Sequence, residues 1–180
     1  MRTQKLKSGR WSDICTAAIV VTDIEDSTGW TVRLGDAGWL ATLLEHRGIV
    51  RRRVAEHGGQ ELATTGDGFV LIFPDVEVAA RCVASIQVDH RECAGTPTRL
   101  LRVRIGLHAG TIRLAPDGTW VGRDLHLASR VASAADGGEI LVSEDALRDR
   151  PAVEAQVSGV RRAALRGFPG EHALLTLDWL

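Results

Sequence analysis

The stretch Ala17-Ala-Ile-Val-Val-Thr-Asp-Ile-Glu-Asp-Ser-Thr28 runs apolar for five residues and then turns acidic and hydroxylated. A short apolar run bounded in this way reads as a buried strand, here residues 16–22, and it leaves Asp23 where the strand emerges. A second aspartate, Asp67, stands in Thr64-Thr-Gly-Asp-Gly-Phe69, between Gly66 and Gly68, where a strand must reverse. Residues 60–64 and 69–73 then form a hairpin with Asp67 at its tip. Two strand ends thus present two carboxylates. Hard oxygen donors in such places suit Mg²⁺ or Mn²⁺, which commonly complete their shells with water and substrate phosphates. A nucleoside triphosphate is the matching substrate class. Taken singly, Asp23 reads as a helix cap and Asp67 as an ordinary turn residue.

A third motif favours function over those plainer readings. Trp120-Val-Gly-Arg-Asp-Leu-His-Leu-Ala-Ser-Arg-Val-Ala-Ser-Ala-Ala135 reads as a helix entered through Gly122. Arg123, His126 and Arg130 are spaced i, i+3 and i+7 and share one face, while Leu125, Ala128 and Val131 can turn toward a core. Alone, such a basic stripe is most simply a solvated surface.

With these pieces in place, the chain resembles the catalytic domain of class III nucleotide (adenylate/guanylate) cyclases, in a divergent bacterial form. The resemblance is carried by Asp23-Ile24 with Ser27-Thr28, by Thr65-Gly-Asp-Gly-Phe69, by Arg104-Ile-Gly-Leu-His-Ala-Gly110, by Val121-Gly122 through Arg130, and by Gly138-Glu-Ile-Leu-Val-Ser143. These occur in the family's order across residues 16–178. The wording Asp-Ile-Glu-Asp-Ser-Thr and the Arg33-Leu-Gly-Asp36 stretch look most like bacterial cyclase domains of the kind also found fused to LuxR-type regulators. The resemblance implies a ferredoxin-like core and a 3′,5′-cyclic nucleotide product. It also implies a homodimer with shared sites, in which metal residues come from one subunit and base-contacting and transition-state residues from the other.

Residue by residue, the resemblance assigns two Mg²⁺ or Mn²⁺ ions per site to Asp23, Asp67 and the Ile24 carbonyl. Phosphates lie near the backbone of Glu25, Asp26, Ser27 and Thr28, as at a turn opening a helix, and near Arg166, which stands where the family has a triphosphate-contacting lysine. Arg130 matches the transition-state arginine, whose permanently charged fork suits a pentacoordinate phosphorus. Some positions depart from the pattern. His126 occupies the place of the transition-state asparagine, and its charge varies between about pH 5 and 8. The two base-binding positions hold Ala63, whose methyl group reads no base edge, and Thr119, which offers one hydroxyl. Thr111 stands where some members place a further phosphate-binding arginine, with Arg113 two residues on. An active but atypical cyclase and a degenerate one that binds a nucleotide or regulatory partner without turnover are both open at this point. A diguanylate-cyclase-like relative is disfavoured, because no Gly-Gly-Asp/Glu-Glu-Phe turn occurs.

Composition agrees with one enzyme domain, residues 14–180, behind a basic leader, residues 1–13, that reads as flexible. The chain has 180 residues, 44% hydrophobic and 25% charged, with a formal net charge of −1. That balance gives no reason to propose a nucleic acid or a membrane as partner. The apolar stretch after the leader is too short for a signal peptide or a membrane span, so a cytoplasmic location is expected. Cys15, Cys82 and Cys93 form no Cys-x-x-Cys pair, and core or incidental thiols are the simplest reading.

Further along, residues 36–57 read as a helix with Leu40, Leu43, Leu44, Val50 and Val54 as its stripe, ended by Gly58-Gly59. Residues 75–92 read as a second helix, 95–98 as a loop, 100–108 and 111–114 as strands, 116–118 as a turn and 139–142 as a strand. Ser143 is expected to cap a short helix from Glu144. Residues 153–157, 160–165 and 172–178 read as terminal strands. The order predicts an α+β domain with helices packed on a mostly antiparallel sheet.

Overall fold

The computed structural model describes residues 14–179 apart from Ala94 and Ala155; the expected leader lies outside the described residues. The first strand, β1 (Ile14–Ile24), is buried from Cys15 to Val21 save for Thr16 and lies near the middle of the sheet. Its even-numbered residues Ala18, Val20 and Ile24 pack in the larger core, and Ala17, Ile19 and Val21 pack in a second core on the opposite face. Burial on both faces is why its sequence runs apolar instead of alternating.

The hairpin β2 (Gln60–Thr65) and β3 (Gly68–Phe73) lies along β1, with Thr22 opposite Phe69. Strand β4 (Val103–Leu114) flanks β1 on its other side, pairing Asp23 with Arg104 and Ile14 with Arg113. Its end carries the short β5 (Trp120–Val121). Beyond β4 lie β6 (Ile140–Ser143), β8 (Glu171–Leu177) and β7 (Val157–Ala164), in the order β2-β3-β1-β4-β6-β8-β7. Only the β4–β6 pairing is parallel among the described ladders. The mixed α+β architecture is the expected one.

On one face lie α1 (Ser27–Glu56) and α2 (Val76–Glu92); on the other lies α3 (Arg123–Ala134). The helix expected over 36–57 is the second part of α1. Gly35 is non-helical, with φ 67° and ψ 167°, and breaks the helix there, so a further segment begins at Ser27. The inward line of α1 is Thr42, His46, Ile49, Val50 and Val54; Leu40 and Leu44 are more than half exposed and Leu43 is only partly buried. An apolar count missed it because two of the inward residues are polar. Helix α2 starts where expected, with Asp75 Oδ1 accepting from Val78 N at 2.8 Å. Strand β4 runs unbroken through Gly110 where two strands were expected.

Two short helices follow β6, α4 (Glu144–Leu147) and α5 (Pro151–Glu154). The strand expected over 153–157 is a correction: Pro151 opens a helical turn, as proline does at a first helical position. Ser143 precedes α4 but makes no capping bond; its Oγ is hydrogen-bonded to His108 Nδ1 at 2.7 Å. The three cysteines are free. No helix among the described residues is long and apolar enough to cross a membrane.

Candidate active site

Sheet register brings Asp23 and Asp67 to one edge of the molecule. Thr22 Oγ1 accepts from Phe69 N at 3.1 Å, so the turn Gly66-Asp67 sits against the end of β1 where Asp23 emerges. Gly68 is required there, because a Cβ would meet the Thr22 carbonyl oxygen at 2.3 Å. The two carboxylates differ in their surroundings. Asp23 Oδ2 accepts from Arg104 Nη2, whereas Asp67 Oδ2 is buried with no hydrogen-bond partner among the described residues. An orphaned carboxylate oxygen beside a second, partly exposed carboxylate fits a divalent cation. No group of three or more His, Cys, Asp or Glu residues forms a metal cage among the described residues, so water and phosphates would supply the rest of the shell.

The turn after β1 is tied down by its own side chains. Glu25 N donates to the Arg102 carbonyl at 2.9 Å, and Glu25 Oε1 accepts from Gly137 N at 3.1 Å. Of the backbone expected near phosphates, that amide is therefore already engaged. Asp26 adopts a left-handed conformation, φ 54°, and caps α1 by accepting from Gly29 N, while Arg33 pairs with its other oxygen at 3.2 Å. Ser27 and Thr28 line an open cleft of about 400 Å³ together with Trp39, Arg47, Gly66 and Asp67. Arg47 Nη2 donates to the Gly66 carbonyl at 2.5 Å and so fastens α1 to the turn that carries Asp67. Under the same turn His46 Nδ1 lies 2.9 Å from His90 Nε2. Burial, with His90 beside it, pushes His46 down to about 3.

Helix α3 is anchored from beneath and open above. Gly106 allows the close approach, since a Cβ would meet Ala132 N at 2.2 Å. Asp124 Oδ2 accepts from Thr111 N at 2.7 Å, and its Oδ1 lies 3.8 Å from His108 Nε2. Leu127, Ala128, Val131 and Ala132 are buried, and Leu125 is partly so. On the outer side His126 is exposed and Arg130 half-buried. Neither side chain has a hydrogen-bond or ion-pair partner among the described residues, and neither does Arg166, exposed in the β7–β8 turn.

Residues 11–175 match the adenylate and guanylate cyclase catalytic domain. The chain belongs to this family. An uncharacterised protein of Mycobacterium tuberculosis strain H37Rv is 29% identical over 180 residues, covering 97% of the chain and 60% of its own length. The adenylate cyclase of Lachancea kluyveri is 33% identical over 152 residues, 71% of the chain but 8% of that much longer protein. Among solved structures, the guanylyl cyclase Cya2 superposes with a TM-score of 0.79 at 20% identity, over 98% of this chain and 94% of that one. Adenylate cyclases from Trypanosoma brucei, described in their monomeric state, reach 0.77 at 22% identity over 99% and 93%. The chain thus spans about three fifths of the mycobacterial relative, and the structural likeness establishes the fold.

Within one cyclase chain the candidate residues form two groups. Asp23, Ile24, Asp67, Ser27 and Thr28 gather at the β1–β3 edge, and Ala63, exposed on β2, pairs with Val70 nearby. Thr119 lies beyond Trp120 at the far end of β4. From Val21, level with Val70, to Ile14, level with Arg113, is seven residues of strand, roughly 23 Å. The two positions expected to bind the base are therefore not neighbours in a single chain. Arg166 is farther still, in the turn between the last two strands of the sheet order. Arg104 and His108 stand in a motif of the resemblance that gives neither a role, and Arg47 and Asp124 carry no expected role from the sequence. For Arg104 a signal existed: a charged residue inside an alternating strand faces whatever its paired neighbour faces.

Proposed function

We propose that this cyclase domain converts a nucleoside triphosphate, ATP in the first instance, into a 3′,5′-cyclic nucleotide and pyrophosphate at a site shared by two copies of the chain. The observation that carries the proposal is that the candidate groups lie on two sides of one sheet. One end offers the carboxylates and the opening of α1, and the opposite face offers His126 and Arg130, without partners among the described residues, on a firmly seated helix. A second copy facing the first would bring the halves together.

Asp23, Asp67 and the Ile24 carbonyl are the residues to hold two Mg²⁺ or Mn²⁺ ions, with Ser27 and Thr28 beside the phosphates. Such ions acidify a bound hydroxyl and neutralise triphosphate charge. The ribose 3′-oxygen gives its proton to solvent water and attacks the α-phosphorus, and the bond to the β-phosphate bridging oxygen breaks so that pyrophosphate leaves. Arg130 from the partner copy stabilises the charge growing on the phosphoryl oxygens, as a fixed cation in a closed site does. His126 donates a hydrogen bond to a phosphate or ribose oxygen. Thr119 reaches the base while Ala63 leaves its edge unread, and the abundance of triphosphates in the cytoplasm fits the expected location.

Ala63 and His126 favour the second reading, a domain that binds nucleotide or a regulatory partner without turnover. Incubation with Mn²⁺ and each of the four nucleoside triphosphates, followed by product analysis, separates the two. A cyclic nucleotide is expected from ATP, with at least about a thousandfold less from Asp67→Ala, several kcal/mol of lost transition-state stabilisation. Nucleotide binding without product from any of the four would leave the non-catalytic reading. Equal turnover by Asp67→Ala would remove the two-metal site.

A further inference from the structure

We propose that Arg104 is a built-in counter-cation that keeps Asp23 from a divalent ion until a triphosphate takes over the guanidinium, so that metal and nucleotide enter together. The proposal rests on the cyclase reading and adds to it a residue and an order of events.

The two candidate metal carboxylates are not equivalent. Asp23 and Arg104 are direct partners across the β1–β4 ladder, and Arg104 Nη2 donates to Asp23 Oδ2. Asp67 Oδ2 has no such partner. An ion that needs both carboxylates must displace a side chain that is always charged and well matched to a carboxylate. Arg104 is itself incompletely satisfied, because its Nε is buried and finds no acceptor among the described residues. A buried donor without an acceptor is costly, so a position offering more acceptor oxygens is favoured. Phosphate oxygens are such acceptors, and they accept guanidinium donors in pairs.

Arg102, two residues back on the same chain, shows what a fixed arginine looks like at this edge. Both its Nε and Nη2 donate to the Gly137 carbonyl, at 3.1 and 2.8 Å, and Glu25 lies 3.4 Å from it. The Arg104 side chain keeps 30% of its surface exposed and the Asp23 side chain 40%, so both can be reached from solvent. If the triphosphate frees Asp23 for metal, linkage requires that metal help the triphosphate by the same factor.

Mn²⁺ titration of the whole chain followed by electron paramagnetic resonance, without nucleotide, tests this directly. Arg104→Gln is expected to bind Mn²⁺ about tenfold more tightly than the parent, within the range usual for coupled sites, and Arg104→Lys, which keeps the charge, to stay near the parent. A non-hydrolysable ATP analogue should tighten Mn²⁺ strongly in the parent and little in Arg104→Gln. Arg104→Met, which retains the stem's packing, replaces Arg104→Gln if circular dichroism shows that variant unfolded. A folded neutral variant that binds Mn²⁺ no better than the parent overturns the counter-cation role and leaves the cyclase reading standing. Absence of Mn²⁺ binding in every protein, with or without the analogue, removes the metal site and the proposal with it.

Discussion

At the β1–β3 edge, Asp23, Glu25, Asp26 and Arg47 are each held by a partner, whereas on α3 the side chains of His126 and Arg130 have none among the described residues and the holding falls to Asp124, His108 and Gly106 beneath them. The first region has its geometry set within one chain. The second is a rigid platform whose outward groups await something else. A residue that acts on substrate must keep its polar atoms available, and here it is the supporting residues that take up the internal hydrogen bonds. On the proposed reading the difference teaches where each half would find its partner: the edge would complete itself with ions and phosphates, the α3 face with a second molecule.

Mixing variants is the hardest test of that division. Asp23→Ala spoils the edge and Arg130→Ala spoils the platform, so each protein alone should be inactive. After subunit exchange at equal concentrations, half of the two-fold dimers are mixed and each carries one intact site, which should restore about a quarter of parental activity. An inactive mixture, with exchange confirmed by a labelled subunit, would mean that both halves are used within one chain or that the copies meet by another face.

Both regions also stand on buried histidines, and acid should undo them. His46, pushed down to about 3, and His90, lowered chiefly by burial, lie under the Asp67 turn; His108, lowered by burial against the opposing pull of Asp124, lies under α3. All are neutral in the native protein at neutral pH, while in the unfolded chain they take up protons near pH 6.5. Stability is therefore fully present above about pH 6.5 and is lost as pH falls, for His46 down to about 3. For His46 the loss approaches about 1.4 kcal/mol per pH unit. Urea unfolding midpoints measured from pH 7 to 4.5 should fall accordingly, and His46→Asn should flatten the slope whatever it does to the absolute stability. A slope unchanged in that variant would mean His46 charges in the folded state.

Much of this was legible in the sequence, and the exceptions share a cause. The apolar run at Ala17–Val21, the Asp67 turn and the helix of residues 123–134 announce themselves because their period or punctuation is strong. The first turn of α1 did not, because Ser27 to Leu34 has no apolar stripe and its cap, Asp26, sits in a left-handed conformation that no pattern encodes. The inward face of α1 was misread at Leu40 and Leu44 because Thr42 and His46 take the buried places. Of the candidate site, the residues proposed to contact substrate were readable from motifs, whereas Arg47 and Asp124 act through pairings that only the strand register and helix seating create.

The smallest expected effect concerns the base, and it probes both regions at once because Ala63 belongs to the edge and Thr119 to the far end of β4. Leu62 is the extra residue of a bulge between Glu61 and Ala63, and it packs with Val70 in the core on the α3 side. Ala63 itself therefore offers the base a methyl group and no polar atom that a wrong base would leave unpaired. ATP and GTP should accordingly be used at similar rates, since strong rejection requires buried polar groups that lose their partner. Ala63→Lys places an ammonium at that position, able to donate to a ring nitrogen of adenine, and should raise the preference for ATP over GTP by about fivefold to tenfold, near 1 kcal/mol. The ratio of cyclic products from an equimolar mixture measures it. A parent already strongly selective, or a ratio that Ala63→Lys leaves untouched, would show that the base is read elsewhere than at Ala63 and Thr119.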